Sequence, residues 1–191
     1  MSICRRDHGG AIFLRQLVED DINTRYVTWF TDPLFTRFLE AQNISRDDAI
    51  AHLENGRQTG GYEIYAICQK TDGQHIGNLK LGPIHRGHST SDLITVIGDR
   101  SAWGKGYARE SIKIAIDIAF NELNIRKLSA SIDSLNIGSI KAYTAAGFEI
   151  ESILRDQFSF YDGKTTQLSD KVYVAAFNPN FRPPTEGSDR R

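Results

Sequence analysis

The spacing of apolar and polar positions changes period several times along this chain, and each change marks an element. Residues 11–17, with Ile12 and Leu14 on one side of charged Arg15, predict a first strand. Glu19, Asp20 and Asp21 then precede Ile22, Tyr26, Val27, Trp29 and Phe30 at helical spacing. Acidic residues there suit a helix N-terminus. Thr31-Asp32-Pro33 stops that helix, and Phe35, Phe38 and Leu39 follow without an assigned element. Ser45, with Asp48 three residues on, predicts the N-cap of a second helix running to about Arg57, closed by Thr59-Gly60-Gly61.

Residues 62–69 alternate Ile64, Ala66 and Cys68 with Tyr65 and Ile67, and residues 74–81 alternate Ile76, Leu79 and Leu81. The two strands flank the turn Lys70-Thr71-Asp72-Gly73, as in a hairpin. Residues 83–91 read as a polar, histidine-bearing loop, and 90–98 as a fourth strand. A long helix follows, with Ile112, Ala115, Ile116, Ala119, Phe120 and Leu123 on its apolar face. Residues 126–132 predict a strand, which a crossover of this length makes parallel to its predecessor. A short helix at 136–146 ends at Gly147, and strands at 148–154 and 168–177 flank a loop holding Asp162-Gly163. The element order is β-α-α-β-β-β-α-β-α-β-β.

The join between the fourth strand and the long helix is Trp103-Gly104-Lys105-Gly106-Tyr107-Ala108. A helix start has unpaired N–H groups and partial positive charge. Gly104 and Gly106 leave backbone open to a close-approaching phosphate, and Lys105 and Arg109 add formal charge. The dinucleotide fingerprint fails, because Arg109 stands where its third small residue belongs. The P-loop also fails: position 99 is Asp99, and Gly106 follows Lys105. By itself the segment could equally be an ordinary strand-to-helix turn.

The segment resembles motif A of the GNAT superfamily of acetyl-CoA-dependent N-acetyltransferases, Gln/Arg-x-x-Gly-x-Gly/Ala, departing from it only at Trp103. Trp-Gly-Lys-Gly-Tyr-Ala is similar to the form found in the RimJ/RimL-like branch. Residues 136–148 resemble motif B, with Asn136, Ser139, Tyr143 and Gly147-Phe148. The seven residues from Asn136 to Tyr143 are about two helical turns, which sets them near one face. The resemblance covers residues 11–177 as one N-acetyltransferase domain, between an N-terminal extension (1–10) and a polar C-terminal tail (178–191). It implies a single-domain α+β fold: a mixed, mostly antiparallel sheet, splayed between strands 4 and 5 by a bulge in strand 4, and flanked by about four helices.

The resemblance also implies chemistry. An amine attacks the thioester of acetyl-CoA directly, with no metal. The coenzyme would be held by the backbone of Val96, Ile97 and Gly98, by the turn Trp103, Gly104, Lys105, Gly106, Tyr107, Ala108 and Arg109, and by Asn136 and Ser139. Tyr143 stands at the position of the family's thiolate-protonating tyrosine; packing as a core aromatic is the competing role. Asn136 is equally suited to N-capping; Ser139, which the resemblance makes a catalytic residue helping to position the thiol, is equally suited to being an ordinary helix residue. Some relatives carry a basic Glu on the fifth strand, where this chain has Ser131. Glu40 is the preferred substitute, with Asp92, Asp99, Asp133, His85 and His88 as others. The missing carboxylate also motivates an alternative, a non-catalytic acyl-CoA-binding or sensor module.

Composition then narrows the setting. The 191 residues carry a formal net charge of −1 with no basic block, so nucleic-acid binding has no electrostatic support. Two cysteines, Cys4 and Cys68, suit reduced thiols, and no apolar window reaches membrane-spanning length. A cytoplasmic protein follows, and the resemblance implies that it acts on a protein N-terminus or a small-molecule amine such as an amino sugar. The lack of an acidic excess places polyamines lower. A homodimer through the C-terminal strands is common in the family.

Overall fold

A computed structural model describes residues 5–161 and 164–183. Cys4 and the Asp162-Gly163 pair lie outside the described residues, as does the tail beyond 183. Seven strands form one sheet in the order β1-β2-β3-β4-β5-β7-β6. They are β1 (Ile12–Gln16), β2 (Glu63–Gln69), β3 (His75–His85), β4 (Thr90–Ile97), β5 (Lys127–Asp133), β6 (Glu149–Tyr161) and β7 (Thr166–Phe177). Neighbours pair antiparallel except β4 and β5, which run parallel. Five α-helices stand among the described residues: α1 (Thr24–Trp29), α2 (Pro33–Thr36), α3 (Arg46–Thr59), α4 (Tyr107–Asp117) and α5 (Ile137–Ala146).

The single-domain α+β sheet is the expected one, and its boundaries differ instructively. The extra helix is α2: Asp32 accepts from the Leu34 N–H and Pro33 occupies the first helical position. A proline that stops one helix is also preorganised to start the next. The polar loop begins later than expected, because β3 runs on to His85. Strands β6 and β7 extend beyond their apolar stretches into a long hairpin. In α3, Ser45 and Asp48 form the expected reciprocal cap.

Two cores lie on opposite faces of the sheet. One face carries α4 and α5 over Ile12, Leu14, Tyr65, Leu79, Leu81, Leu93 and Leu128. The other carries Tyr26, Trp29, Phe30 and Phe35 of α1 and α2, with Leu53 of α3, over Phe13, Ala66 and Cys68. In α4 the buried stripe is wider than the sequence pattern, since Ile114 and Ile118 are buried too. Each fully buried isoleucine contributes about 2 kcal/mol. The α-helix ends at Asp117 and continues as a π-turn, Ile118–Glu122, which rephases the stripe.

Strands β4 and β5 pair over three positions only, the last being Asp92 with Ser129. Beyond it the strands diverge and leave a cleft in the sheet. The register irregularity at that level lies in β3, where Leu81 faces Leu93 but Ile84 faces Ser91. The extra residue is therefore carried by β3 rather than β4, and Asp92 sits opposite it.

Candidate active site

The helices differ in how their first turns are satisfied. Asn23 caps α1, Asp32 caps α2, Ser45 caps α3 and Asn136 caps α5, each through a side-chain oxygen. α4 begins at Gly106, in a left-handed conformation (φ 81°), with no side-chain cap. Gly104 is also left-handed (φ 73°), and a Cβ on it would have nothing within 4 Å. The space over both glycines opens outward, with only Arg109 Nη2 at 4.0 Å from a Cβ built on Gly106. Unpaired amides, a helix dipole and the exposed Lys105 and Arg109 therefore converge where an anion fits. The one carboxylate in this first turn, Glu110, accepts from the Ile12 N–H at 3.0 Å.

The turn is tied back to the sheet. Trp103 Nε1 donates to the Ile97 carbonyl at 2.7 Å, and the Tyr107 hydroxyl donates to Gln69 at 3.3 Å. Asp99 accepts from both the N–H and the hydroxyl of Ser101, and pairs with Arg25 at 2.5 Å. Burial alone would raise the Asp99 carboxyl, but these donors hold it below the usual carboxylate range.

Along β4, the Leu93 carbonyl accepts from the Tyr143 hydroxyl at 2.8 Å, so it faces the β5 side. Backbone groups alternate along a strand, so Thr95 and Ile97 also address the cleft, while Ile94 and Val96 address β3. Gly98 donates its N–H to the Ile76 carbonyl, and a Cβ on it would lie 2.1 Å from the Trp29 indole. Of the three expected pantetheine partners, Ile97 faces the cleft; Val96 and Gly98 are engaged with β3.

Tyr143 is buried, edge-on to Phe148 with ring centroids 5.0 Å apart. Burial pushes its phenol well above the ordinary value. Tyr143 therefore packs as a core aromatic, the competing role, with its hydroxyl bonded to the Leu93 carbonyl of β4. Asn136 accepts from the Ser139 N–H at 3.2 Å, the capping role, which leaves its amide N–H₂ uncommitted in that contact. Asn136 and Ser139 are half-buried at the end of β5.

The base candidates separate by position. Glu40 stands exposed on the loop after α2. Asp133 is occupied by the Leu135 N–H and the Ser169 hydroxyl, and Asp99 by the partners above. Asp92 is at the point of divergence, and its side chain projects opposite to Leu93, toward the α1–α3 face. Desolvation raises its carboxyl above the usual range, with His85 and Lys80 opposing. His85 and His88 are exposed on the strand end and turn, and Ser131 is exposed on β5. Sequence reasoning missed Thr95, whose buried Oγ1 has no hydrogen-bond partner among the described residues. A threonine in a β-branched run reads simply as a strand former, so the sequence carries no signal for it.

Residues 11–149 match the acetyltransferase (GNAT) domain family. The chain belongs to this family. It is accordingly an acyltransferase. The chain is 28% identical over 152 residues to the spermidine N(1)-acetyltransferase of Escherichia coli K12, covering 80% of this chain and 74% of the relative. Among solved structures it is similar to the spermidine N-acetyltransferase of Vibrio cholerae in complex with CoA and spermine (TM-score 0.78, 20% identity, 90% and 98% covered). It is also similar to the ribosomal-protein-S5-alanine acetyltransferase of Vibrio fischeri (TM-score 0.74, 17% identity, 93% and 99% covered).

Proposed function

We propose that this protein moves the acetyl group of acetyl-CoA directly onto a primary amine. The observation that carries the reading is the glycine-started, side-chain-free N-terminus of α4 beside diverging strands, in a chain of the GNAT family. The first-turn amides of Gly104, Lys105, Gly106, Tyr107 and Ala108, with Lys105 and Arg109, would hold the diphosphate. Trp103 braces that turn, backbone groups of Ile97 and Thr95 line the cleft for the pantetheine arm, and Asn136 and Ser139 close its far side. Bound acetyl-CoA supplies an activated acetyl thioester and a sulfur leaving group.

The chain's residues handle the protons. A protonated amine sheds two protons on becoming an amide: one returns on the CoA sulfur and one leaves to solvent. Tyr143 is the donor at sulfur. Asp92, ionised, accepts from the incoming ammonium on the α1–α3 face; it is exposed like Glu40 but stands where β4 and β5 part, and Glu40 is left as an acceptor-loop contact. Ordinary acetyl transfer in the cytoplasm needs nothing more of this chain.

The acceptor is a primary amine on a small molecule or a protein N-terminus, as in the RimJ/RimL-like branch. Net charge alone sets polyamines lower, yet the relatives' names put spermidine first among amines to test. Incubation with acetyl-CoA and spermidine, an alanine-initiated peptide or glucosamine, followed by mass spectrometry, should show one added acetyl group on at least one of them. Binding of acetyl-CoA with no acetylated amine would favour the sensor module instead. Asp92→Asn should lower kcat/KM by about 100-fold. The wild type should lose activity as pH falls through the raised carboxyl range, and the variant should lack that limb. A second copy is proposed to dock along the edge strand β6, whose Ile150, Ile153, Leu154 and Phe160 are exposed; light scattering tests it.

A further inference from the structure

The Tyr143 hydroxyl is spent in the resting chain. It donates a hydrogen bond to the Leu93 carbonyl at 2.8 Å, in the buried core. Two residues further along β4, on the same side of the strand as Leu93, Thr95 lies near the Tyr143 phenol; burial raises that phenol, and Thr95 opposes the rise. Yet Thr95 Oγ1 completes no hydrogen bond and is closed off from solvent. A buried hydroxyl without a partner is disfavoured, and native folds keep few of them. This one borders the cleft where the strands separate after Asp92 and Ser129. A valine there would fill the same volume without an orphaned oxygen. The stability of the resting fold therefore does not account for threonine at this position, whereas a charge that appears only during turnover does.

We infer that Thr95 is a positioning residue for the acid: its hydroxyl is held in reserve to donate to the Tyr143 oxygen once that oxygen has given up its proton. The inference rests on the proposed acetyl transfer with Tyr143 as donor. The step balances simply. The Oη–H bond breaks, an S–H bond forms on the leaving thiolate, and the negative charge moves from sulfur to Oη. The Thr95 hydroxyl and N–H then both donate to Oη, until a solvent proton restores the phenol. The Leu93 carbonyl, an acceptor, cannot serve a phenolate, so the resting partner and the working partner must be different groups. Thr95 supplies the second from one strand turn away.

The test uses the full chain, acetyl-CoA and whichever amine of the panel above turns over fastest. Thr95→Val should lower kcat about tenfold or more, the scale of losing one donor to a developing negative charge. KM for acetyl-CoA should stay within twofold and the melting temperature should not fall, because the lost hydroxyl had no partner. Thr95→Ser should restore most of kcat. In a Tyr143→Phe background, Thr95→Val should cost nothing further, since no phenolate forms. Wild-type kcat in Thr95→Val overturns the inference, as does a loss that multiplies with that of Tyr143→Phe. If Tyr143→Phe itself keeps full kcat, the acid assignment falls and takes this inference with it. If Tyr143→Phe is impaired and Thr95→Val is not, only the inference falls. A lowered melting temperature in Thr95→Val, unrescued by serine, marks Thr95 as structural and also overturns it.

Discussion

Helices α4 and α5 both begin just past the ends of the two parallel strands, side by side, and they begin in opposite ways. α5 satisfies its own first turn: Asn136 accepts from the Ser139 N–H, and the Asn136 N–H in turn donates to the Asp133 carbonyl. α4 leaves its first turn open, starting from a left-handed glycine whose surroundings are empty enough for a guest. The same dipole stands at both ends, so the dipole alone does not distinguish them; under the proposed function, the presence or absence of a competing side-chain oxygen does. A helix end is a site for an anion when the chain declines to cap it, and four of the five α-helices among the described residues are capped.

The comparison is most sharply tested by filling the open end. Gly106→Val places a β-branched residue at φ 81° and a side chain over the exposed amides. CoA affinity by titration calorimetry should fall about 100-fold or more, roughly 2.7 kcal/mol. Wild-type affinity would break the contrast between the two helices. The closed end is tested next, with a smaller expected effect. Asn136→Ala should cost about 1 kcal/mol of stability, measured by denaturant unfolding, as a lost cap does. Asn136→Asp keeps a capping oxygen but lacks the amide N–H₂, so it should restore stability. A CoA affinity still reduced in Asn136→Asp would show that the amide contacts the coenzyme as well. An affinity equal to wild type would confine Asn136 to capping.

The mildest change is a glycine in the first turn of the capped helix. Gly138→Ala has only Asn136 Oδ1 near the new carbon, at 4.0 Å, and its φ is not left-handed. Helix propensity alone should then raise stability by up to about 1 kcal/mol, with CoA affinity unchanged. Opposite outcomes for one residue type at two neighbouring helix starts would make the point directly.

Local signals carried much of this protein. The reciprocal cap at Ser45 and Asp48, the glycine stop at Gly147 and the Trp103–Ala108 turn are short-range features, and each appears where its residues predict it. Features needing two distant segments were not legible. The packing of Trp29 onto Gly98 joins residues far apart in sequence, and it gives Gly98 a reason for lacking a side chain that its own neighbourhood does not show. The π-turn after Asp117 breaks a pattern that looks continuous to Leu123, and no glycine or proline stands in residues 117–123 to mark it. Among the acidic candidates, charge is equal in the sequence, and both Glu40 and Asp92 are exposed; only position separates Glu40 on a loop from Asp92 at the strand divergence.

The sequence by itself determined the order of the strands, all of the longer helices and the family to which the chain belongs. It also determined the glycine turn that starts α4, since these depend on periods and motifs a few residues long. Only the tertiary structure decided which face of β4 each residue serves, that Tyr143 rests against Leu93, and that Thr95 is left with an unpaired hydroxyl beside it. The physical reason is alternation. A strand sends successive residues to opposite sides, and which side borders a cleft is settled by a partner strand that pairs for three residues and then departs.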